Sequence, residues 1–458
     1  MATVNRREFL KKIGASVGPV ALTMPGVIGS AARAVAAGKS RRKPNIIFIL
    51  ADDLGYGDLG CYGQKMIQTP MIDRMADEGV RFTDCYSGAT VCAPSRCALM
   101  TGMHTGHCTV RGNTSDVTKD RVPLRPEDTT VAQVLREAGY TTGIIGKWGL
   151  GEPDTTGIPN KKGFDYWFGY LNQSHAHGYY PDYLWRNEKK VTIPPGTYSH
   201  DLFTQEALGF VRREKDKPFF LYLAYTIPHA DIEVPSEYPY SNKPWPDVEK
   251  KFAAMVTRMD RDIGKLFMLL RDLELDDDTI VFFTSDNGAH GEGGHDSSVF
   301  NSSGPLRGIK RAMYEGGVRV PMIVRWPGEI DPGSVNDQPW AFWDFMPTAA
   351  EIGGAKVPEK IDGISLLPAI LGRKQKHQHE YLYWEFHEGG FKQAARFGRW
   401  KAVRNGSAKP IELYDLKTDL GETKDVASQH PDIVARAEQI LKSARTESDY
   451  WPRPKTRN

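Results

Sequence analysis

Four apolar runs constrain this chain more than any other feature of its sequence. They are Asn45-Ile46-Ile47-Phe48-Ile49-Leu50, Thr141-Thr142-Gly143-Ile144-Ile145, Phe219-Phe220-Leu221-Tyr222-Leu223-Ala224-Tyr225 and Thr279-Ile280-Val281-Phe282-Phe283-Thr284. None alternates polar with apolar, so each suits a strand buried on both faces. Between them lie segments with helical spacing, residues 130–138 and 250–273. The second carries Phe252, Met255, Val256, Met259, Ile263 and Leu266 on one face. Strands alternating with helices predict an α/β fold, a large mostly parallel sheet sandwiched by helices. Such sheets gather their chemistry at the carboxyl ends of strands. Each run ends in polar residues: Asp52-Asp53, Gly146-Lys147-Trp148, Pro228-His229 and Ser285-Asp286-Asn287-Gly288.

The C-terminal part follows another pattern. Residues 380–386, 393–404 and 411–416 look like antiparallel strands, and residues 431–443 like a helix. The expectation is a catalytic domain over 44–360 and a small C-terminal α+β subdomain over 375–450. A chain of 458 residues accommodates both.

Charge and termini narrow the class. A net charge of +2, with no basic tract interleaved with aromatics, argues against a nucleic-acid partner. Residues 1–37 read as a signal peptide. Arg6-Arg7 precedes Phe9-Leu10-Lys11-Lys12, an uncharged stretch follows over 13–32, and Ala34-Val35-Ala36-Ala37 offers a cleavage site. The paired arginines predict the twin-arginine (Tat) export machinery as a partner and a periplasmic or secreted protein. Glycines and prolines interrupt the stretch, and no later segment reaches about 18 apolar residues, so no stable membrane span is expected. There are five cysteines, Cys61, Cys85, Cys92, Cys97 and Cys108. An odd number in an exported protein prompts a search for one special thiol.

Asp52, Asp53, Asp286 and Asn287 bring three carboxylates and an amide to two strand ends. Carboxylates clustered in a low-dielectric cleft repel unless a cation joins them. An all-oxygen donor set favours Ca²⁺, or less readily Mg²⁺, over zinc. Capping of a following helix is the plain alternative for either pair taken alone.

Val91-Cys92-Ala93-Pro94-Ser95-Arg96 is the most specific motif. Cys-x-Pro-Ser-Arg resembles the sequence read by the formylglycine-generating maturation enzyme. From about residue 44 to 443 the chain resembles the type I sulfatases of the alkaline phosphatase superfamily. The residues that carry this are Leu50-Ala51-Asp52-Asp53-Leu54-Gly55-Tyr56-Gly57-Asp58, the Cys92 motif, Gly146-Lys147-Trp148, Pro228-His229, Ser285-Asp286-Asn287-Gly288 and Gly304-Pro305-Leu306-Arg307-Gly308-Ile309-Lys310.

The resemblance implies an alkaline phosphatase-like fold and hydrolysis of sulfate esters. It implies that Cys92 is oxidised to formylglycine, whose hydrated aldehyde offers one hydroxyl to attack sulfur and a second to expel sulfate. Asp52, Asp53, Asp286 and Asn287 would hold Ca²⁺ together with modified Cys92. Arg96 would hold the diol, Lys147 and Lys310 would bind sulfate oxygens, and His229 would protonate the leaving alcohol. A solvated surface lysine is the alternative for Lys310, and a packed core histidine for His229.

One position departs from the family. Where many members have Gly-Lys-Trp-His-Leu-Gly, this chain has Gly146-Lys147-Trp148-Gly149-Leu150-Gly151. Gly149 transfers no proton, so another base serves or the pocket is rebuilt. His107, His175 and His177 are candidates. An extended segment would put His175 and His177 on one face. His175 and His177 beside the aromatic stretch 178–185 suggest a sulfated glycan or small sulfated molecule as substrate. His290 and His295 flank the loop after the metal pair, and His295 is a further candidate for substrate contact. The rival readings are a phosphatase or phosphodiesterase of the same superfamily, and an inactive binding homologue suggested by Gly149. The first usually has Ser or Thr as nucleophile and two metals held partly by His.

Overall fold

The computed structural model describes residues 42–115 and 117–453, and the expected leader over residues 1–37 lies outside them. Among the described residues eleven strands make the large sheet. They are β1 (Asn45–Ala51), β2 (Val80–Tyr86), β3 (Thr141–Lys147), β4 (Tyr166–Tyr170), β5 (Tyr183–Arg186), β6 (Lys189–Thr192), β7 (Phe219–Ala224), β8 (Thr279–Ser285), β9 (Arg319–Arg325), β10 (Ser334–Asn336) and β11 (Trp340–Ala341). The four apolar runs are β1, β3, β7 and β8, and they lie side by side in the order β8-β1-β7-β3, all parallel. Strand β9 runs antiparallel to β8 and to β2, and the hairpin β5–β6 runs antiparallel at the other edge, so the sheet is mixed only at its flanks.

Strand β1 shows why the runs are apolar throughout. Successive side chains point to opposite faces. Ile46, Phe48 and Leu50 pack with Leu99, Leu135, Phe345 and Met346 from the helices Cys92–Thr101, Val131–Glu137 and Phe345–Gly353. Ile47, Ile49 and Ala51 face Phe203, Phe210, Met255 and Ile263 from the helices Ser199–Glu214 and Asp247–Asp272. Burying one such large side chain contributes roughly 1.5–3 kcal/mol. The helix expected over 130–138 spans Val131–Glu137 because Thr130 caps it. Its Oγ1 accepts from Gln133 N, and Gln133 Oε1 accepts from Thr130 N.

The small antiparallel sheet has β12 (Leu382–Phe386), β13 (Lys392–Phe397), β14 (Trp400–Arg404) and β15 (Glu412–Asp415). The segment 393–404, read as one strand, is a hairpin. Phe397 pairs with Trp400, and Gly398 at φ +57° makes the two-residue turn. One face of this sheet packs Trp384 and Val403 against Tyr86, Ala98 and Trp343 of the large unit. The other packs Tyr383 and Leu413 under Ala437 and Leu441 of the helix Pro431–Ser443. Among the described residues no helix is long and apolar enough to cross a membrane.

Candidate active site

Register assembles the acidic centre. Ala51 of β1 pairs with Ser285 of β8, so Asp52 and Asp286 follow side by side. Asp52 N donates to Ile227 O (3.2 Å), tying in the end of β7 that leads to His229. An extended strand would send Asp52 and Asp53 to opposite faces. Asp53 instead adopts φ +66°, a left-handed conformation that Asp tolerates better than most residues. One ligand atom each from Asp52, Asp53, Cys92 and His229 then lie within 4.8 Å of one another.

Three cations meet these carboxylates. Lys147 Nζ donates to Asp52 Oδ2 at 2.6 Å, and Lys310 Nζ to Asp53 Oδ2 at 2.7 Å. Arg96 forks onto Asp286 Oδ2 through Nε (3.2 Å) and Nη2 (2.9 Å), and its Nη1 donates to Lys147 O at 2.8 Å. Lys147 and Lys310 are 1% and 6% exposed, which excludes the surface-lysine reading of Lys310. Lys310 is brought in by close backbone packing. Gly288 N donates to Gly317 O at 3.1 Å, and a Cβ on Gly288 would lie 1.8 Å from Gly316 O.

Cys92 begins the helix Cys92–Thr101 and is buried. Ser95 fixes that helix to β8, its Oγ accepting from Gly88 N (3.0 Å) and donating to Asp286 O (2.5 Å). Asn113 Oδ1 accepts from Ala93 N at 3.1 Å. All five cysteines are free thiols. Burial pushes the Cys92 thiol well up, against the pull of Lys147, so the unmodified side chain stays protonated.

Burial alone would raise all three aspartates. Lys147, His229 and Arg96 outweigh it at Asp52, and Lys310 and His229 at Asp53, so both are held well below the usual carboxylate range. Asp286 goes the other way, raised to about 7 by burial and by Asp52 despite Arg96. Even with one cation for each carboxylate, burial and the crowding by Asp52 leave Asp286 under-compensated. Asp52 Oδ1 and Asn287 Oδ1 are also buried without a hydrogen-bond partner. One unpartnered oxygen from each of two neighbouring strand ends, in an all-oxygen set, fits a hard divalent cation.

The histidines divide by their partners. His229 Nδ1 contacts Ala230 O, which can only accept, so Nδ1 carries the proton and Nε2 is the exchanging nitrogen. Nε2 lies 3.3 Å from Lys310 Nζ and 3.4 Å from Asp53 Oδ2. Burial lowers its pKa, against Asp53. His175 and His177 lie in a one-turn 3₁₀ helix, not an extended segment, so they do not share a face. His177 packs on His229 with ring centroids 4.5 Å apart, while His175 packs between Tyr170 (4.9 Å) and Tyr183 (4.4 Å). His295 is enclosed rather than presented to substrate. It is stacked on Phe252 at 3.8 Å, and its Nδ1 lies 2.6 Å from Glu249 Oε2. Both nitrogens of His290 are engaged, Nε2 by Pro228 O (3.1 Å) and Nδ1 by Glu292 N (3.1 Å). His107 is taken by Asp362 (2.8 Å) and stacks on His104.

The structure adds residues that motif reading passed over. Glu292 Oε2 accepts from Lys310 Nζ at 2.9 Å and Oε1 binds Arg311, so Glu292 holds Lys310 beside the acidic centre. Its carboxylate is lowered to about 2; burial opposes this and Lys310 overcomes it. A single acid between Gly291 and Gly293 was the available signal. Ser95 belongs to the Cys92 motif but has no role assigned by it, and Asn113, which holds Ala93 N, carries no signal in the sequence.

Such an arrangement, acidic oxygens and buried cations around one helix N-terminus at the carboxyl ends of an α/β sheet, defines a hydrolase of anionic esters. A family model described as Sulfatase matches residues 44–355, and one described as N-sulphoglucosamine sulphohydrolase, C-terminal matches residues 309–447. The chain belongs to the sulfatase family and is a sulfuric ester hydrolase of alkaline phosphatase-like fold. It is 34% identical to N-acetylgalactosamine-6-sulfatase of Canis lupus familiaris over 404 residues, covering 81% of this chain and 74% of that protein. It is 30% identical to N-acetylgalactosamine-6-O-sulfatase of Bacteroides thetaiotaomicron over 504 residues, covering 89% and 94%. The solved structure of Ps i-CgsB in complex with k-i-k-neocarrahexaose superposes with a TM-score of 0.79 at 32% identity, covering 88% of this chain and 93% of that one.

Proposed function

We propose that this protein removes sulfate from a sulfated carbohydrate, using Cys92 matured to formylglycine beside a bound Ca²⁺. The observation that carries this reading is the convergence of Cys92 with Asp52, Asp53 and His229 within 4.8 Å, ringed by Arg96, Lys147 and Lys310. A protonated, buried thiol is a poor nucleophile. A hydrated aldehyde at position 92 supplies a hydroxyl nucleophile and a second hydroxyl for release. Asp52, Asp53, Asp286 and Asn287 would hold the cation, which supplies positive charge and lowers the pKa of a bound hydroxyl.

The chain's own groups do the rest. The three cationic side chains balance the three aspartates, so an added divalent ion leaves net positive charge for an anionic sulfate ester. Lys147 and Lys310 orient the sulfate oxygens. Arg96 locks Asp286 and the end of β3 in place. His229, when doubly protonated, would give its Nε2 proton to the leaving alcohol and return to the Nδ1–H tautomer held by Ala230 O. Support for a carbohydrate comes from relatives named for N-acetylgalactosamine-6-sulfate chemistry and from a neighbour solved with a neocarrahexaose. The aromatic stretch, with Tyr183 against His175 and Tyr180 against Tyr198, is in keeping with it. The leader over residues 1–37 supports export by the twin-arginine route to the periplasm or beyond. Maturation by the formylglycine-generating enzyme would then precede export, in the cytoplasm.

The test joins mass spectrometry of the residue-92 peptide with turnover. The exported protein, made with its maturation enzyme, is expected to carry formylglycine and to hydrolyse members of a panel of sulfated mono- and oligosaccharides. Cys92→Ala should abolish turnover. Equal activity in Cys92→Ala sinks the nucleophile, and turnover of lipid or amino-acid sulfates alone sinks the carbohydrate.

A further inference from the structure

Gly149 leaves a gap that the structure fills from a neighbouring strand. Its φ is +82°, and a Cβ built there would lie 2.2 Å from Gln173 Nε2 and 2.9 Å from Gln173 Cδ. The pairing of β3 with β4 continues beyond Lys147 and Tyr170. Trp148 N donates to Tyr170 O (3.0 Å) and Gly149 N to Leu171 O (3.0 Å), which brings Gln173 alongside Gly149. Gln173 is 6% exposed, yet neither its Oε1 nor its Nε2 has a hydrogen-bond partner in the protein. Leaving a buried polar group unpaired is costly, so a carboxamide left unpaired at both ends points to a ligand. Its surroundings say which one. Two residues before Gly149 is Lys147 on Asp52. Gln173 O accepts from Ala176 N (3.2 Å) in the turn that lays His177 on His229.

We propose that Gln173 is a further catalytic residue of the sulfatase site. Its carboxamide takes the place of the imidazole absent at Gly149 and hydrogen-bonds the reacting group, with Nε2–H donated to a sulfate oxygen and Oε1 accepting from the attacking hydroxyl. This rests on the formylglycine reading. A carboxamide orients but does not titrate, so proton transfer is left to His229. Gly149 and Gln173 form a reciprocal pair, because a side chain at 149 and the carboxamide at 173 compete for one space.

The experiment compares wild type, Gln173→Leu and the double variant Gly149→His/Gln173→Gly. Each is assayed on a small aryl sulfate and on a sulfated glycan, with formylglycine content and melting temperature measured in the same preparations. Gln173→Leu keeps the packing volume and is expected to lose kcat roughly 100-fold on both substrates, with KM little changed. The double variant should recover part of kcat and gain a pH-dependent limb near the imidazole range, about 6.5. Wild-type kcat in Gln173→Leu overturns the proposal, as does a loss confined to the glycan. A folded, formylglycine-bearing double variant with no recovery also overturns it. An active wild type with unmodified Cys92 fails the formylglycine reading instead, and the kcat effect of Gln173→Leu still reports on the reacting group.

Discussion

Two clusters of buried charge in this molecule solve the same electrostatic problem differently. At the junction with the small sheet, Glu385 of β12 is enclosed but complete. Its Oε1 accepts from Arg111 Nη1 (2.9 Å) and lies 3.0 Å from His387 Nε2, and its Oε2 accepts from Arg445 Nε (2.8 Å) and Tyr383 Oη (2.9 Å). At the strand ends, Asp52 and Asn287 each keep one buried oxygen without a partner, and Asp286 is driven toward protonation. Paired charge within the protein marks a structural cluster. Charge left open at a convergent point marks a site completed from outside.

The sharpest way to break this contrast is to remove an open ligand. Asp52→Asn should cost at least about 1,000-fold in turnover, since the cation's contribution is worth several kcal/mol. Calcium gives a readout independent of turnover. At about 100 times its dissociation constant it should stabilise wild type by about 3 kcal/mol, and the increment should shrink sharply in Asp52→Asn. Differential scanning calorimetry with and without chelator measures it. An undiminished increment in the variant would remove Asp52 from the cation site.

Glu385→Ala should do the reverse. It strands Arg111 and Arg445 in a buried setting, an effect of about 3–5 kcal/mol on stability. Turnover per folded, formylglycine-bearing molecule should hardly change. Chemical denaturation checks the first part and active-site titration the second. Unchanged stability with lost turnover would place Glu385 in the catalytic machinery and erase the distinction. Acid should act in the same sense. Glu385 is lowered to about 2 against burial, through the bond to His387 and the charge of Arg111. Its stabilising contribution is therefore present above about 4.5, the ordinary Glu value, and is lost as pH falls toward 2.

Sequence made the two clusters unequally visible. The strand-end site was readable because parallel strands buried on both faces are apolar throughout, so each polar residue after a run stands out. Asp52, Lys147 and Asp286 are such residues, and Cys92 is marked by its own Cys-x-Pro-Ser-Arg motif. Glu385 carries no comparable mark, because its partners Arg111 and Arg445 are far away in sequence and meet it only through the packing of β12. The same limit applies to His295. Its place after the metal pair suggested a cleft residue, yet Glu249 and Phe252 on the helix Asp247–Asp272 draw it inward. Gln173 was equally hidden, since only the register of β3 with β4 sets it against Gly149.

A third group tests the contrast where the nearby cations are already engaged by a neighbouring carboxylate, with the smallest expected effect. Glu315 and Glu422 are buried together. Glu315 has its own cations, Lys401 at 2.7 Å and Arg319 at 3.1 Å. Glu422 accepts from Glu315 N at 2.7 Å, but its Oε1 has no partner. Burial raises Glu422 to about 8; Lys401 opposes this and the charge on Glu315 adds to it. The folded state therefore keeps a proton that the unfolded chain releases above about 4.5, the ordinary Glu value. The stability this confers is full below that value and is lost as pH rises through 8. Glu422→Gln fixes the neutral form. Its melting temperature should match wild type near pH 5 and exceed it by a modest margin near pH 9, at one calcium concentration. Parallel curves across that range would mean that Glu422 holds no proton in the fold. A surplus buried carboxylate must be neutralised by something. Glu422 is neutralised by a proton, whereas at the strand ends Asp52 and Asn287 each keep one buried oxygen open.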